Sequence, residues 1–101
     1  MDITISEKEG CIIAAIIGDL DNAASTQAER SFLSVFESTD KDVVIDCTGL
    51  NYISSSGLRI MLNIYKHTRA NGHTVTLRGM SDDVLEVFGL SGFLQLFKVE
   101  Q

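Results

Sequence analysis

The chain has 101 residues, enough for one hydrophobic core and too few for two. Apolar residues make up 45% and charged residues 22%, the profile of an ordinary soluble globule, and no apolar run approaches the roughly 20 residues of a membrane-spanning helix. The net charge of −6 leaves no basic footprint for nucleic acid; Lys66, His67 and Arg69 are the densest cationic cluster and read as the solvated last turn of a helix.

The first residues, Met1-Asp-Ile-Thr-Ile5, lack the basic region of a secretory signal, so a cytoplasmic protein is expected. Ile3-Thr4-Ile5 alternates as an edge strand does, and Lys8-Glu9-Gly10 is a turn. Cys11–Ile17 is an unbroken apolar run, which predicts a central strand buried on both faces and joined to the first strand as a hairpin. Gly18-Asp-Leu-Asp21 ends it. Asp21 or Asn22 is placed to cap a first helix reaching Ser38, with Ala24, Ala28, Phe32, Val35 and Phe36 at helical spacing.

A buried strand, Val43-Val44-Ile45, leads into Asp46–Leu58, and the span from Asp46 to Ser56 is expected as a loop. A second helix is expected from about Ser56 to Asn71-Gly72. Leu58, Met61, Leu62 and Tyr65 form its apolar stripe, with Arg59, Asn63 and Lys66 on the polar side and Ile60 and Ile64 on a flank. Thr74–Arg78 alternates as a strand, Ser81-Asp82 caps a short helix ended by Gly89, and Phe97–Val99 is either a last strand or the end of a terminal helix. No repeat, linker or domain boundary interrupts this order, so residues 1–101 are expected to form one domain. Strands alternating with helices after a hairpin imply a mixed sheet with a parallel part and right-handed crossovers. Sites in such sheets lie beyond the carboxyl ends of strands. The Gly18–Asp21 turn and the Asp46–Ser56 segment should therefore meet at one end.

Three serines, Ser54, Ser55 and Ser56, stand where the second helix starts. One suffices to cap the unpaired N–H groups of a helix start. The rest are surplus, and a hydroxyl at an exposed junction is open to modification. A nucleophilic serine would need a base within hydrogen-bond reach. His67 lies twelve residues along the same helix, about 18 Å away, and His73 lies beyond its end. Neither a G-x-S-x-G elbow nor a phosphate-cradling P-loop is present. No catalytic residue is assigned. Cys11 and Cys47 show no C-x-x-C or zinc-ligand spacing and read as small buried hydrophobes in a reducing compartment; no metal and no cofactor is implied. Phosphorylation adds about −1.5 to −2 charge, which a helix N-terminus tolerates, so it would act on partner binding and not on folding.

At these residues the sequence resembles the STAS family, and within it the stand-alone bacterial anti-sigma factor antagonists. That family's signature is a strand ending in Asp, an apolar-rich loop, and Asp-Ser-Ser-Gly-Leu opening a helix. Here Val43–Asp46 ends in Asp, Tyr52-Ile53 precedes the signature, and Ser54-Ser-Ser-Gly-Leu58 matches four of its five positions. Gly18-Asp-Leu-Asp21, Val84-Leu-x-x-Phe88, Gly89-Leu90 and Phe97 match further parts of the pattern, so the resemblance spans the chain. It implies the α/β STAS fold: a mixed sheet of four to five strands, hairpin then β-α-β-α-β-α, with helices mainly on one face. It implies that Ser55 is the phosphorylated serine, with Ser54 and Ser56 as alternatives. Ser54 replaces the family's aspartate. It implies a non-enzymatic protein that binds an anti-sigma factor, itself a GHKL-type serine kinase, and so frees a sigma factor; a PP2C-type phosphatase reverses the modification. Asp21, Ser54, Ser56, Gly57, Arg59 and Ile60 are the expected partner-binding residues. For several of these a plainer role stands beside the functional one: Ser55 or Asp21 as a helix cap, Ile60 and Ile64 as helix packing, Arg59 as a solvated residue. The alternative function is a STAS module of another assembly, such as a cytoplasmic subunit of a lipid transport system or a stress-signalling scaffold.

Overall fold

The computed structural model describes all residues, Met1–Gln101. Five strands, β1 (Asp2–Lys8), β2 (Cys11–Leu20), β3 (Asp42–Ile53), β4 (Val75–Arg78) and β5 (Lys98–Glu100), form one sheet in the order β1-β2-β3-β4-β5. The β1–β2 hairpin is antiparallel and turns at Glu9-Gly10, both at positive φ. The β2–β3, β3–β4 and β4–β5 pairs are parallel. The crossovers carry α1 (Ser25–Ser31) and α2 (Leu33–Glu37), then α3 (Ser55–Ala70), then α4 (Asp82–Leu90) with a 3-10 turn at Leu94–Leu96. The C-terminal segment is thus a short parallel edge strand.

The core is one cluster of 22 buried side chains. The sheet contributes alternate residues from a single face: Ile12, Ala14 and Ile16 from β2, Val43, Ile45 and Cys47 from β3, Val75 and Leu77 from β4. The helices add Ala28, Phe32, Val35, Ile60, Met61, Ile64, Val84 and Phe88 to the same cluster. Tyr65 of α3 and Phe88 of α4 both meet Phe97 edge-on, at ring separations of 5.4 and 5.8 Å, which ties both helices to the segment leading into β5.

Several sequence expectations are corrected here. β2 is not buried on both faces: Ile13 and Ala15 are half-buried and Ile17 is 56% exposed, because no helix covers the second face; β3, not β2, is central. The first helix is broken at Phe32, where φ −88° and ψ 1° leave the helical basin. Asp21 caps a turn, accepting the Ala24 N–H at 2.9 Å, and α1 starts later without a side-chain cap. In α3 the buried residues are Gly57, Leu58, Ile60, Met61, Ile64 and Thr68, so Leu58 and Met61 of the expected stripe are buried while Leu62 and Tyr65 are half-buried. Ile60 and Ile64 are therefore core residues. Cys47 is buried, with its thiol pushed up to about 12 by desolvation, but Cys11 is only half-buried; both are free.

The largest correction concerns Asp46–Ile53, which is strand and not loop. It pairs with an equally extended β2: Ile17 with Gly49, Gly18 with Leu50, Asp19 with Tyr52, Leu20 with Ile53. Irregularities between Ala15 and Ile17 and between Gly18 and Asp19 break the two-residue period, so the buried positions of β3 run Cys47, Leu50, Ile53. Asp46 anchors this irregular stretch. Its carboxylate accepts the Thr48 N–H at 3.1 Å and the Thr48 hydroxyl at 2.7 Å, and Arg78 lies 3.7 Å away. The Thr48 hydroxyl bond is the main cause holding the Asp46 carboxyl below its ordinary value. Removing it in Asp46→Ala should cost about 1–2 kcal/mol at pH 7 by urea unfolding. A carboxyl whose folded value is depressed stabilises above the unfolded value, near 3.9, and loses that contribution as pH falls through the folded value. The gap between parent and variant should therefore narrow below about pH 4.

Candidate functional site

One residue, Ser54, separates the end of β3 from the start of α3. Its N–H donates to the Leu20 carbonyl at 2.9 Å, tying the junction to the end of β2. Its hydroxyl accepts the Gly57 N–H at 3.2 Å and its carbonyl accepts the Leu58 N–H at 2.9 Å. With φ −88° and ψ 173°, Ser54 is the N-cap, and it is only 6% exposed. The cap and the presented hydroxyl are thus different residues. Ser55 is the first helical residue and is exposed; Ser56 is half-buried.

Gly57 is buried against the same strand ends. A Cβ there would stand 2.8 Å from Ile53 Cγ1, 2.9 Å from Leu20 Cγ and 3.0 Å from the Leu20 carbonyl oxygen. Glycine lets the first turn of α3 press onto β2 and β3. Of the expected partner-binding residues, Ser54, Gly57 and Ile60 are buried and shape the junction from beneath; Asp21 and Ser56 are half-buried and Arg59 is exposed.

Ser55 and Arg59 share a pocket of about 290 Å³ with Leu58, Leu62, Ser91 and Phe93. Leu90, beside Ser91 in sequence, is 82% exposed, and Tyr52 is 52% exposed. The residues after α4 went unassigned in the sequence because that region read only as a turn. The sequence predicts that this helix ends at Gly89, but α4 runs on through Leu90 and the positive φ that turns the chain falls on Gly92. Asp19, Asp21 and Asn51 border a second pocket with Met1, so the Gly18–Asp21 and β3 ends do share one end of the sheet. Asp21 and Asp46 form no carboxylate pair, since each is engaged with its own turn or bulge. The histidines sit elsewhere: His67 Nε2 is 2.7 Å from the Ser38 carbonyl and His73 Nδ1 is 3.1 Å from Asp42 Oδ1. Neither lines the Ser55 pocket. No group of three or more His, Cys, Asp or Glu is placed to hold a metal ion, and no helix is long and apolar enough to cross a membrane.

The sequence pattern of the STAS domain family matches residues 2–101. The chain belongs to the STAS domain family. BtrV of Bordetella bronchiseptica, assigned as an anti-sigma factor antagonist, is 34% identical over 99 residues, covering 98% of this chain and 85% of BtrV. The unphosphorylated form of the anti-sigma factor antagonist SpoIIAA superposes with a TM-score of 0.74 at 15% identity, covering 99% of this chain and 87% of that one. A sulfate transporter family protein from Wolinella succinogenes superposes at 0.77 with 20% identity, covering 92% and 78%. At such identities the structural likeness speaks for the fold alone.

Two substitutions test the junction within this STAS domain. Ser54→Ala should lose about 1 kcal/mol of stability in urea titration, whereas Ser54→Asp should retain the cap. Gly57→Ala should cost about 1–3 kcal/mol, because the new methyl meets both strand ends.

Proposed function

We propose that this STAS protein is a phosphorylation-switched anti-sigma factor antagonist with no enzymatic activity of its own. In its unmodified form it binds an anti-sigma factor that is also a GHKL-type serine kinase, and so releases a sigma factor in the cytoplasm. Phosphorylation of Ser55 ends the binding, and a PP2C-type phosphatase restores it. The observation that carries this reading is the division of labour at the junction: Ser54 takes the cap and Ser55 is left exposed at the first position of α3. BtrV bears the antagonist name over almost the same length of chain. SpoIIAA is known in both unphosphorylated and phosphorylated forms, which supports a switch on this fold.

The charge added at Ser55 is compatible with the fold, since the positive end of the α3 dipole lies there. Its effect falls on the docking face made by Ser55, Ser56 and Arg59, with Asp21 nearby at the same sheet end. New bulk and new negative charge there oppose a partner fitted to the bare hydroxyl.

The reading predicts that Ser55→Asp unfolds like the parent but binds the kinase partner at least about tenfold more weakly, a loss of about 1.4 kcal/mol. Ser55→Ala should bind and resist inactivation by ATP. Equal affinity of Ser55→Asp and parent in a calorimetric titration would remove the switch. Incubation with ATP and native extract, followed by mass spectrometry, should place the phosphate on Ser55. The Wolinella transporter likeness favours, as a second reading, a STAS module of a transport or scaffold assembly. Co-purification from the native cell separates the two: an ATPase-fold kinase supports the first, a transporter subunit the second.

A further inference from the structure

Arg59 follows Ser55 by four positions on α3, so the two side chains stand one turn apart on one helix face, with Cβ atoms about 6 Å apart. Both line the same pocket, whose other walls are Leu58, Leu62, Ser91 and Phe93. No carboxylate lies within ion-pair distance of Arg59; among the Lys and Arg side chains only Lys41, with Glu7 and Asp40, and Arg78, with Asp46, have such partners. No acidic residue occupies the first turn of α3, and the cap is a neutral serine. The N–H groups of Ser55 and Ser56 have no acceptor in the protein, since the cap hydroxyl is taken up by Gly57. The Ser91 hydroxyl on the far wall donates to the Phe88 carbonyl at 3.0 Å.

We infer that Arg59 is the built-in counter-ion of phosphorylated Ser55, closing on the phosphate from one turn below while the Ser55 and Ser56 N–H groups donate to it. The inference rests on the reading of Ser55 as the modified hydroxyl. An anion placed N-terminal to a cation at this spacing is the favourable order on a helix. Leu58, Leu62 and Phe93 form the apolar side of the pocket, and no other titratable side chain lines it. Phosphorylation then changes the docking face twice. It adds an anion at Ser55, and it withdraws the guanidinium that the unmodified protein offers to its partner.

The test uses full-length protein carrying phosphoserine at position 55, installed by chemical ligation or genetic encoding, so that no kinase is needed. The second phosphate ionisation is followed by 31P NMR. Because a neighbouring cation favours the dianion, Arg59→Gln should raise the midpoint by about half a pH unit. Arg59→Lys should recover part of that shift. Lys66→Gln, an exposed cation outside the pocket, should leave it unchanged. Added salt should shrink the parent–Arg59→Gln difference. Equal midpoints for parent and Arg59→Gln, or an equal shift from Lys66→Gln, would overturn the inference. A failure here leaves the mass-spectrometric mapping of Ser55 standing. A phosphate mapped elsewhere in native extract removes the Ser55 reading without altering the NMR result.

Discussion

The hydrogen bond from the Ser54 N–H to the Leu20 carbonyl is the constraint on which the rest of the functional end depends. A strand that hands over to a helix within one residue must satisfy that residue's backbone elsewhere or leave it stranded. Leu20 supplies the acceptor because β2 extends as far as β3 does. Gly57 then allows the first turn of α3 to rest directly on the Leu20 and Ile53 side chains. The same contact locks the rotation of α3. With Gly57, Ile60, Met61 and Ile64 committed to the core, Ser55 and Arg59 are left facing outward. The exposure of Ser55 is thus a product of packing on the opposite side of the helix.

How far this was legible in the sequence depends on whether a signal was local. That serines cap α3 and that the helix exits at Gly72 are local features, and their residue types announced them, although the plain cap role was set beside Ser55 and falls to Ser54. The alternation of strands and helices was likewise readable, as was the meeting of the two strand ends. What failed were readings of period. β3 was cut at Ile45 because the bulged stretch from Asp46 to Ile53 buries every third residue, a spacing that matches neither a plain strand nor a helix. Cys11–Ile17 was read as doubly buried because all seven residues are apolar, but composition does not reveal whether a second layer of helices exists. Half of the α3 stripe, Leu58 and Met61, is buried as read; the other half missed because the buried face turns toward Ile60 and Ile64, with small Gly57 and polar Thr68 hiding its two ends.

The break between α1 and α2 shows the same limit. Ala28, Phe32 and Val35 sit at helical spacing, and each is buried. Phe32 nonetheless leaves the helical basin, and its fully buried ring holds the kink in place. Burial fixed the side chains while the backbone adjusted between them, and a propensity reading has no access to that adjustment.

Ser54 in place of an aspartate also changes the electrostatics of the proposed switch. An aspartate cap would use one oxygen on the Gly57 N–H just as Ser54 does, but would set a fixed negative charge one residue before Ser55. A phosphate added there would then meet a neighbouring anion, and part of the helix-terminal potential would already be neutralised. With a serine cap, the α3 N-terminus is uncharged before modification, and its field is available to the phosphate alone. A fixed charge at the cap would be common to both states of the proposed switch; what its absence removes is the repulsion that would disfavour the phosphate dianion. A switch works through the difference between its two states. On the proposed reading the neutral cap leaves the added dianion without a neighbouring anion to oppose it, while the buried junction beneath, already satisfied by Leu20 and Gly57, has no reason to move.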